Sequence, residues 1–229
     1  MTRHPAAHRT HAHAAAPDDV VVSKVVELSE WARRNSRAVL IGLVLLAVAG
    51  AAAIYYVNYR ADMRQRAAVE LLEVRQTVAS GDLNATVTAL AEFIGRFDGT
   101  PAADEARLLL AQLHLAQGNA AQAADVVRPV AEGDDPLVST SAGLLMAGAY
   151  EAAGQPDQAE RAYLRVAEEA ELEFQQREAL EDAARIRVDR GDRAGAVELY
   201  DRLIGMTEEG SPDRDVYEMR RTEITAAGS

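Results

Sequence analysis

Three stretches decide the fold: GNAAQAADVV (118–127), GQPDQAERAY (154–163) and GDRAGAVELY (191–200). Each opens on a glycine, continues with a polar residue and runs into a helical pattern of small and apolar side chains. GDLNATVTAL (81–90) is a looser copy. The opening glycines, Gly81, Gly118, Gly154 and Gly191, stand 37, 36 and 37 residues apart. Glycine ends a helix because it enters the left-handed cap conformation without steric cost. A polar residue after it can cap the next helix by accepting from a free backbone N–H. A period near 36 therefore predicts stacked helical hairpins.

Registering the chain on these glycines exposes a packing code. Seven residues before each stand Val74, Ala111, Ala147 and Ala184. Five residues after stand Thr86, Ala123, Ala159 and Ala196. Nine after come Leu90, Val127, Tyr163 and Tyr200, and twelve after come Phe93, Val130, Ala167 and Ile204. Helices approach closely only where both carry small side chains, and larger apolar groups fill the adjoining layer. Thr100-Pro101, Asp135-Pro136 and Ser211-Pro212 each put a capping residue before a proline, which starts a helix. The last predicts a polar helix over 213–225, whose run DRDVYEMRRTE closes the stack against solvent.

Upstream of the repeats the pattern changes. Residues 38–57 read AVLIGLVLLAVAGAAAIYYV, without charge, amide or proline. Twenty helical residues span about 30 Å, the thickness of a bilayer hydrocarbon core. Arg33, Arg34 and Arg37 precede the run, with Trp31 nearby, and Tyr55, Tyr56, Tyr59 and Arg60 mark its far end. These are interface residues. The long polar stretch before the run argues against a cleaved signal peptide. The tight arginine cluster favours a cytoplasmic N-terminus and an exported body. Residues 1–18 lack apolar periodicity and are expected to be a disordered tail, whose His4, His8, His11 and His13 are too loosely spaced to order it around a metal. Residues 19–37 are expected to form an amphipathic pre-membrane helix on Val21, Val25, Leu28 and Ala32, lying at the inner leaflet or continuing the membrane helix.

The expected organisation is thus all-α: tail, pre-membrane helix, a single transmembrane helix (38–57), and an α-solenoid of helical hairpins over 58–229 with a C-terminal capping helix. Composition agrees, with 5% aromatic residues and no cysteine among 229 residues. Absence of cysteine excludes a disulfide scaffold, a thiolate metal site and a cysteine nucleophile. The net charge is −12, with about +2 in residues 1–57 and about −14 in the remainder. So acidic a body will not track a phosphate backbone, which argues against nucleic acid as a partner.

The repeat stretches quoted above resemble the turn and second helix of tetratricopeptide repeats, over roughly residues 64–210. The period here exceeds the usual value of about 34. The early tryptophan is absent, and the first-helix tyrosine survives as Tyr150, with His114 and Arg187 in its place elsewhere. The whole layout, from VVELSEWARRNSRAVL through one span and YYVNYRADMRQRAA to degenerate repeats, is similar to the YfgM-like ancillary subunits of the bacterial SecYEG translocon. That resemblance implies a single-pass protein of the bacterial inner membrane with a periplasmic repeat domain. It also implies translocon subunits and a membrane-anchored periplasmic chaperone as partners.

No catalytic constellation is present: there is no G-x-S-x-G, phosphate-binding loop or H-E-x-x-H. The carboxylate runs at 168–173, 134–135 and 208–209 read as solvated charge. Arg185, Arg187, Arg190 and Arg193 read as surface residues paired with neighbouring acids. The expectation is a non-enzymatic adaptor needing no cofactor, metal or small-molecule substrate, acting through contact surfaces. The alternative is an envelope-assembly or cell-division scaffold built on the same repeats. Arg107, His114, Met146, Tyr150 and Arg187, on first helices, are the candidates for a protein-interaction groove. Ala38, Gly42, Ala49, Gly50 and Ala53 are the candidates for packing against another membrane helix.

Overall fold

A computed structural model describes residues 31–79 and 82–227. The tail and most of the pre-membrane segment, including the four tail histidines, lie outside the described residues. Among those described, the chain is helical, with no strand. It divides into two compact units, Met1–Arg60 and Ala61–Ser229.

In the first unit, residues 31–34 are helical. Helical backbone bonds run through the turn at Asn35, whose N–H reaches the Trp31 carbonyl at 2.9 Å while Val39 N–H reaches the Asn35 carbonyl at 2.9 Å. Helix α1 (Ser36–Ala79) follows. Its stretch Ser36–Gln76 is long and apolar enough to cross a membrane, and none of its most apolar window is buried within the protein. Leu40, Ile41, Leu43, Leu46 and Ile54 are all more than half exposed. A Cβ added at Gly42 or Gly50 would meet nothing within 4 Å, and Ala38, Ala49 and Ala53 are likewise exposed. The run 38–57, apolar on every side and with no buried residue, is suited to lipid rather than water.

The second unit holds the end of α1 and eight further helices: α2 (Leu83–Arg96), α3 (Pro101–Ala116), α4 (Ala120–Ala131), α5 (Pro136–Ala152), α6 (Pro156–Glu169), α7 (Glu173–Asp189), α8 (Arg193–Gly205) and α9 (Pro212–Ala226). From α2 onward each helix packs on the next in sequence, and α3 also touches α5. That pattern of near-neighbour contact defines a solenoid of hairpins.

The hairpin turns share one geometry. Gly118, Gly154 and Gly191 have φ of 77°, 71° and 79°. The residue after each glycine bonds back to the carbonyl five residues earlier: Asn119 to His114 (2.8 Å), Gln155 to Tyr150 (2.9 Å) and Asp192 to Arg187 (2.8 Å). The glycine N–H groups bond to Leu115, Glu151 and Val188 at 2.9–3.0 Å. Together these satisfy the orphan carbonyls of the first helix. Capping on the far side differs from the sequence expectation. Asp192 Oδ1 accepts from Gly195 N–H at 3.0 Å and Asp82 Oδ1 from Ala85 N–H at 3.0 Å. Asn119 and Gln155 make no such bond. The Asn119 amide instead donates to Gln117 Oε1 at 3.4 Å. The Thr100, Asp135 and Ser211 side chains all cap the helices that their prolines open.

Burial follows the small-residue code. Ala111, Ala147 and Ala184 on first helices, and Ala123, Ala159 and Ala196 on second helices, are fully buried. Leu90, Val127, Tyr163 and Tyr200 fill the next layer, also buried. Two hydrophobic clusters result. One holds Ala67, Leu71 and Val74 of α1 with Leu90, Phe93, Phe97, Ala103, Ala106 and Leu110. The other runs from Ala111 to Tyr217.

Candidate functional site

The shared turn fixes where the candidate side chains stand. His114, Tyr150 and Arg187 occupy one register position, the residue whose carbonyl accepts the bond that closes each hairpin turn. Their chemistry differs, and so do their surroundings.

Arg187 reaches across its hairpin. Its Nε donates to Glu160 Oε1 at 2.7 Å, and its Nη1 donates to the Gly195 carbonyl at 3.0 Å. Arg190 donates to the other Glu160 oxygen at 2.7 Å and pairs with Asp157 at 2.6 Å. The Arg187 side chain is 19% exposed, so it belongs less to the surface than its sequence context suggested. Tyr150 is buried, and its Oη accepts from Arg128 Nη2 at 3.2 Å. His114 is partly exposed. Its Nδ1 is buried without a hydrogen-bond partner, and burial pushes its pKa down, which keeps the ring neutral.

Arg107 lies deeper, donating to Asp98 at 2.5 Å and Asp104 at 3.0 Å. The guanidinium holds the Asp98 carboxyl below the usual carboxylate range, whereas burial raises Asp104. Met146 is buried. With Tyr150 it lines a hollow of about 270 Å³ between α5 and α6. The five candidates are therefore not gathered into one site. They are distributed along successive hairpins, and Arg107, Tyr150 and Arg187 bind partners within the fold.

Three arrangements lie beyond the sequence reading. Arg185 of α7 makes a two-pronged bond to Glu151 of α5, at 2.7 and 2.9 Å. It also pairs with Asp182 at 2.9 Å. These contacts join consecutive first helices, and Arg75 and Glu105 join α1 to α3 in the same way. Arg185 holds the Glu151 carboxyl below its ordinary range. Secondly, Tyr217 of α9 is buried against Tyr200, with ring centroids 6.4 Å apart, and donates to Glu181. Thirdly, a hollow of about 650 Å³ opens between α7, α8 and α9, bordered by Arg185, Val188, Tyr200, Val216, Arg220 and Ile224. Glu151 and Arg185 occupy different positions relative to their glycines, so no periodicity announced the pair. The carboxylate runs singled out in the sequence are exposed. Among the described residues no three His, Asp or Glu side chains converge as a metal-binding set.

The chain matches the tetratricopeptide repeat-like domain family over residues 29–226, a match that takes in the apolar run as well as the hairpins. No curated protein matches it. Among solved structures it is similar to a tetratricopeptide repeat protein from Parabacteroides merdae, with a TM-score of 0.54 and 16% identity over 71% of this chain. The chain covers 61% of that protein's length. It is also similar to a Podospora anserina protein described as a kinesin light chain with nearly identical tetratricopeptide-like repeats. There the TM-score is 0.53 with 17% identity, over 72% of this chain and 89% of the other. At such identities the likeness is one of fold.

Proposed function

The chain belongs to the tetratricopeptide repeat-like domain family, and on that premise we propose that it is a non-enzymatic adaptor, held in a membrane by one helix, that binds other proteins through its repeat surface. One observation carries the reading. An apolar run, 38–57, with no buried residue shares a chain with a stack of hairpins in which two consecutive first helices are tied by the Arg185–Glu151 pair. A helix confined to the bilayer plane raises the local concentration of its attached surface near other membrane proteins.

In the finer form of the proposal, the membrane is the bacterial inner membrane, the N-terminus is cytoplasmic and the repeats are periplasmic. The partners are translocon subunits and a membrane-anchored periplasmic chaperone. Three arginines just before the apolar run support the orientation, and the chain layout supports the partners. Of the five candidate groove residues, His114 and Arg187 are partly exposed, and the hollow beside α9 offers a concavity of about 650 Å³. Gly42, Gly50 and their alanine neighbours supply a surface on which another membrane helix can pack closely.

Site-specific crosslinking from residues 38–57 in intact cells tests this directly. Capture of translocon subunits or the chaperone is expected. Recovery only of peptidoglycan-synthesis or outer-membrane assembly factors would replace the reading with that of an envelope scaffold. Protease added to spheroplasts should degrade the repeat domain, and protection would reverse the orientation.

A further inference from the structure

Asp98–Gly99 is the one Asp-Gly step in the sequence, which contains no Asn-Gly. It forms the middle of the turn between α2 and α3, closed by Thr100 N–H on the Phe97 carbonyl at 3.2 Å. Gly99 turns at φ 72°, and it carries no side chain to obstruct an approach to its nitrogen. Gly99 N–H is hydrogen-bonded to the Asp98 carboxylate, so the nitrogen and the side-chain carboxyl of that step already lie together. The Asp98 side chain is 73% exposed and open to water. The residues flanking the step are not: Phe97 and Thr100 are buried, and Phe97 belongs to the cluster that clasps α1. Arg107 of α3 holds the same carboxylate, donating from Nη2 at 2.5 Å out of a side chain that is 11% exposed.

A neutral aspartyl group beside such a nitrogen can close a five-membered ring. The Gly99 nitrogen bonds to Asp98 Cγ, the Cγ–OH bond breaks, and the hydroxyl leaves with the amide proton as water. Water then adds to one carbonyl of the succinimide and breaks its C–N bond. Opening at Cγ restores aspartate. Opening at the main-chain carbonyl routes the backbone through Cβ and Cγ and leaves isoaspartate. The ionised carboxylate cannot take this course, because it has no hydroxyl to lose. A guanidinium at hydrogen-bond distance shrinks the neutral fraction of a carboxyl by roughly tenfold or more. We propose that Asp98–Gly99 is a self-modification site, an aspartyl step set to isomerise, and that Arg107 is the residue that holds it shut. Isomerisation adds one methylene to the backbone between two buried residues, which loosens the packing of α2 and α3 on the end of α1. None of this depends on which protein the repeat surface takes.

The test follows heavy-oxygen uptake at residue 98, because each passage through the ring leaves one oxygen from solvent. The full chain and its D98N variant are incubated in heavy-oxygen water at neutral pH, either folded in detergent micelles or with the repeats unfolded in urea. Both are then digested in ordinary water and mapped by mass. The amide of D98N closes the same ring by expelling ammonia, which needs no protonated carboxyl and so escapes the guard. The folded wild-type chain should take up label about tenfold more slowly than the unfolded chain, while D98N should react at similar rates in both. R107Q should remove most of the wild-type lag, with isoaspartate accumulating at the turn. Should R107Q fail to fold, the comparison of wild type with D98N decides alone. An inert D98N in the folded chain would overturn the proposal, since the turn then forbids the ring. So would equal rates for folded and unfolded wild type, which would leave Arg107 guarding nothing.

Discussion

Gly154 turns the chain at φ 71°, a conformation that a Cβ strains. Gly154→Ala should therefore destabilise the repeats by about 1 kcal/mol, read as a lower urea midpoint by circular dichroism. Gly143 is constrained by space instead, because a Cβ there would stand 2.6 Å from Val166 Cγ2. Gly143→Ala should cost about 1–3 kcal/mol through overpacking, in the same measurement. Titration belongs to this scale as well. Burial pushes the Tyr163 hydroxyl up to about 12, and burial raises Tyr200 and Tyr217 too. An unfolded tyrosine ionises near pH 10. Stability from these groups is full below that pH and is lost as pH rises through the raised folded values. Glu151 runs the other way. Its depressed pKa contributes stability at neutral pH that disappears on acidification through that value. Thermal midpoints should fall from about pH 10 upward, and Tyr163→Phe should flatten that limb.

Helix starts separate into two kinds. Asp135 Oδ1 accepts from Leu137 N–H at 3.2 Å and Val138 N–H at 3.4 Å, whereas Asn119 caps nothing. Asp135→Ala should cost about 1 kcal/mol and Asn119→Ala close to none, compared as paired urea midpoints. This contrast also marks what a sequence conveys. The proline-preceding caps were legible because Pro fixes the first helical residue and the cap lies immediately before it. Asn119 was misjudged because its residue type suits a cap while its amide turns toward Gln117. The small-residue code was legible because close helix approach recurs with the repeat. Ties between distant residues were not. Arg107 meets Asp98 nine positions away, and Arg187 meets Glu160 twenty-seven away. Composition cannot tell such buried arginines from solvated ones.

Across the whole molecule, the repeat stack ends on a helix whose surface is mostly polar and whose one buried side chain is Tyr217. Deleting residues 206–229 would uncover Tyr200 and leave Glu181 without its donor. Amide exchange should then quicken through α7 and α8 while α3 and α4 stay protected, because each helix leans chiefly on its sequence neighbours. The chain should pellet with membranes and require detergent for release, and removal of 38–57 should free it into the soluble fraction.

The division of the oily interior into two pools has a mechanical corollary. The pool nearest the apolar run is the smaller, with three side chains of α1 clasped by α2 and α3. A tug transmitted along α1 would meet this clasp first. It would peel away as a fuse while the longer run of hairpins, knit by its own alanines and tyrosines, stays packed.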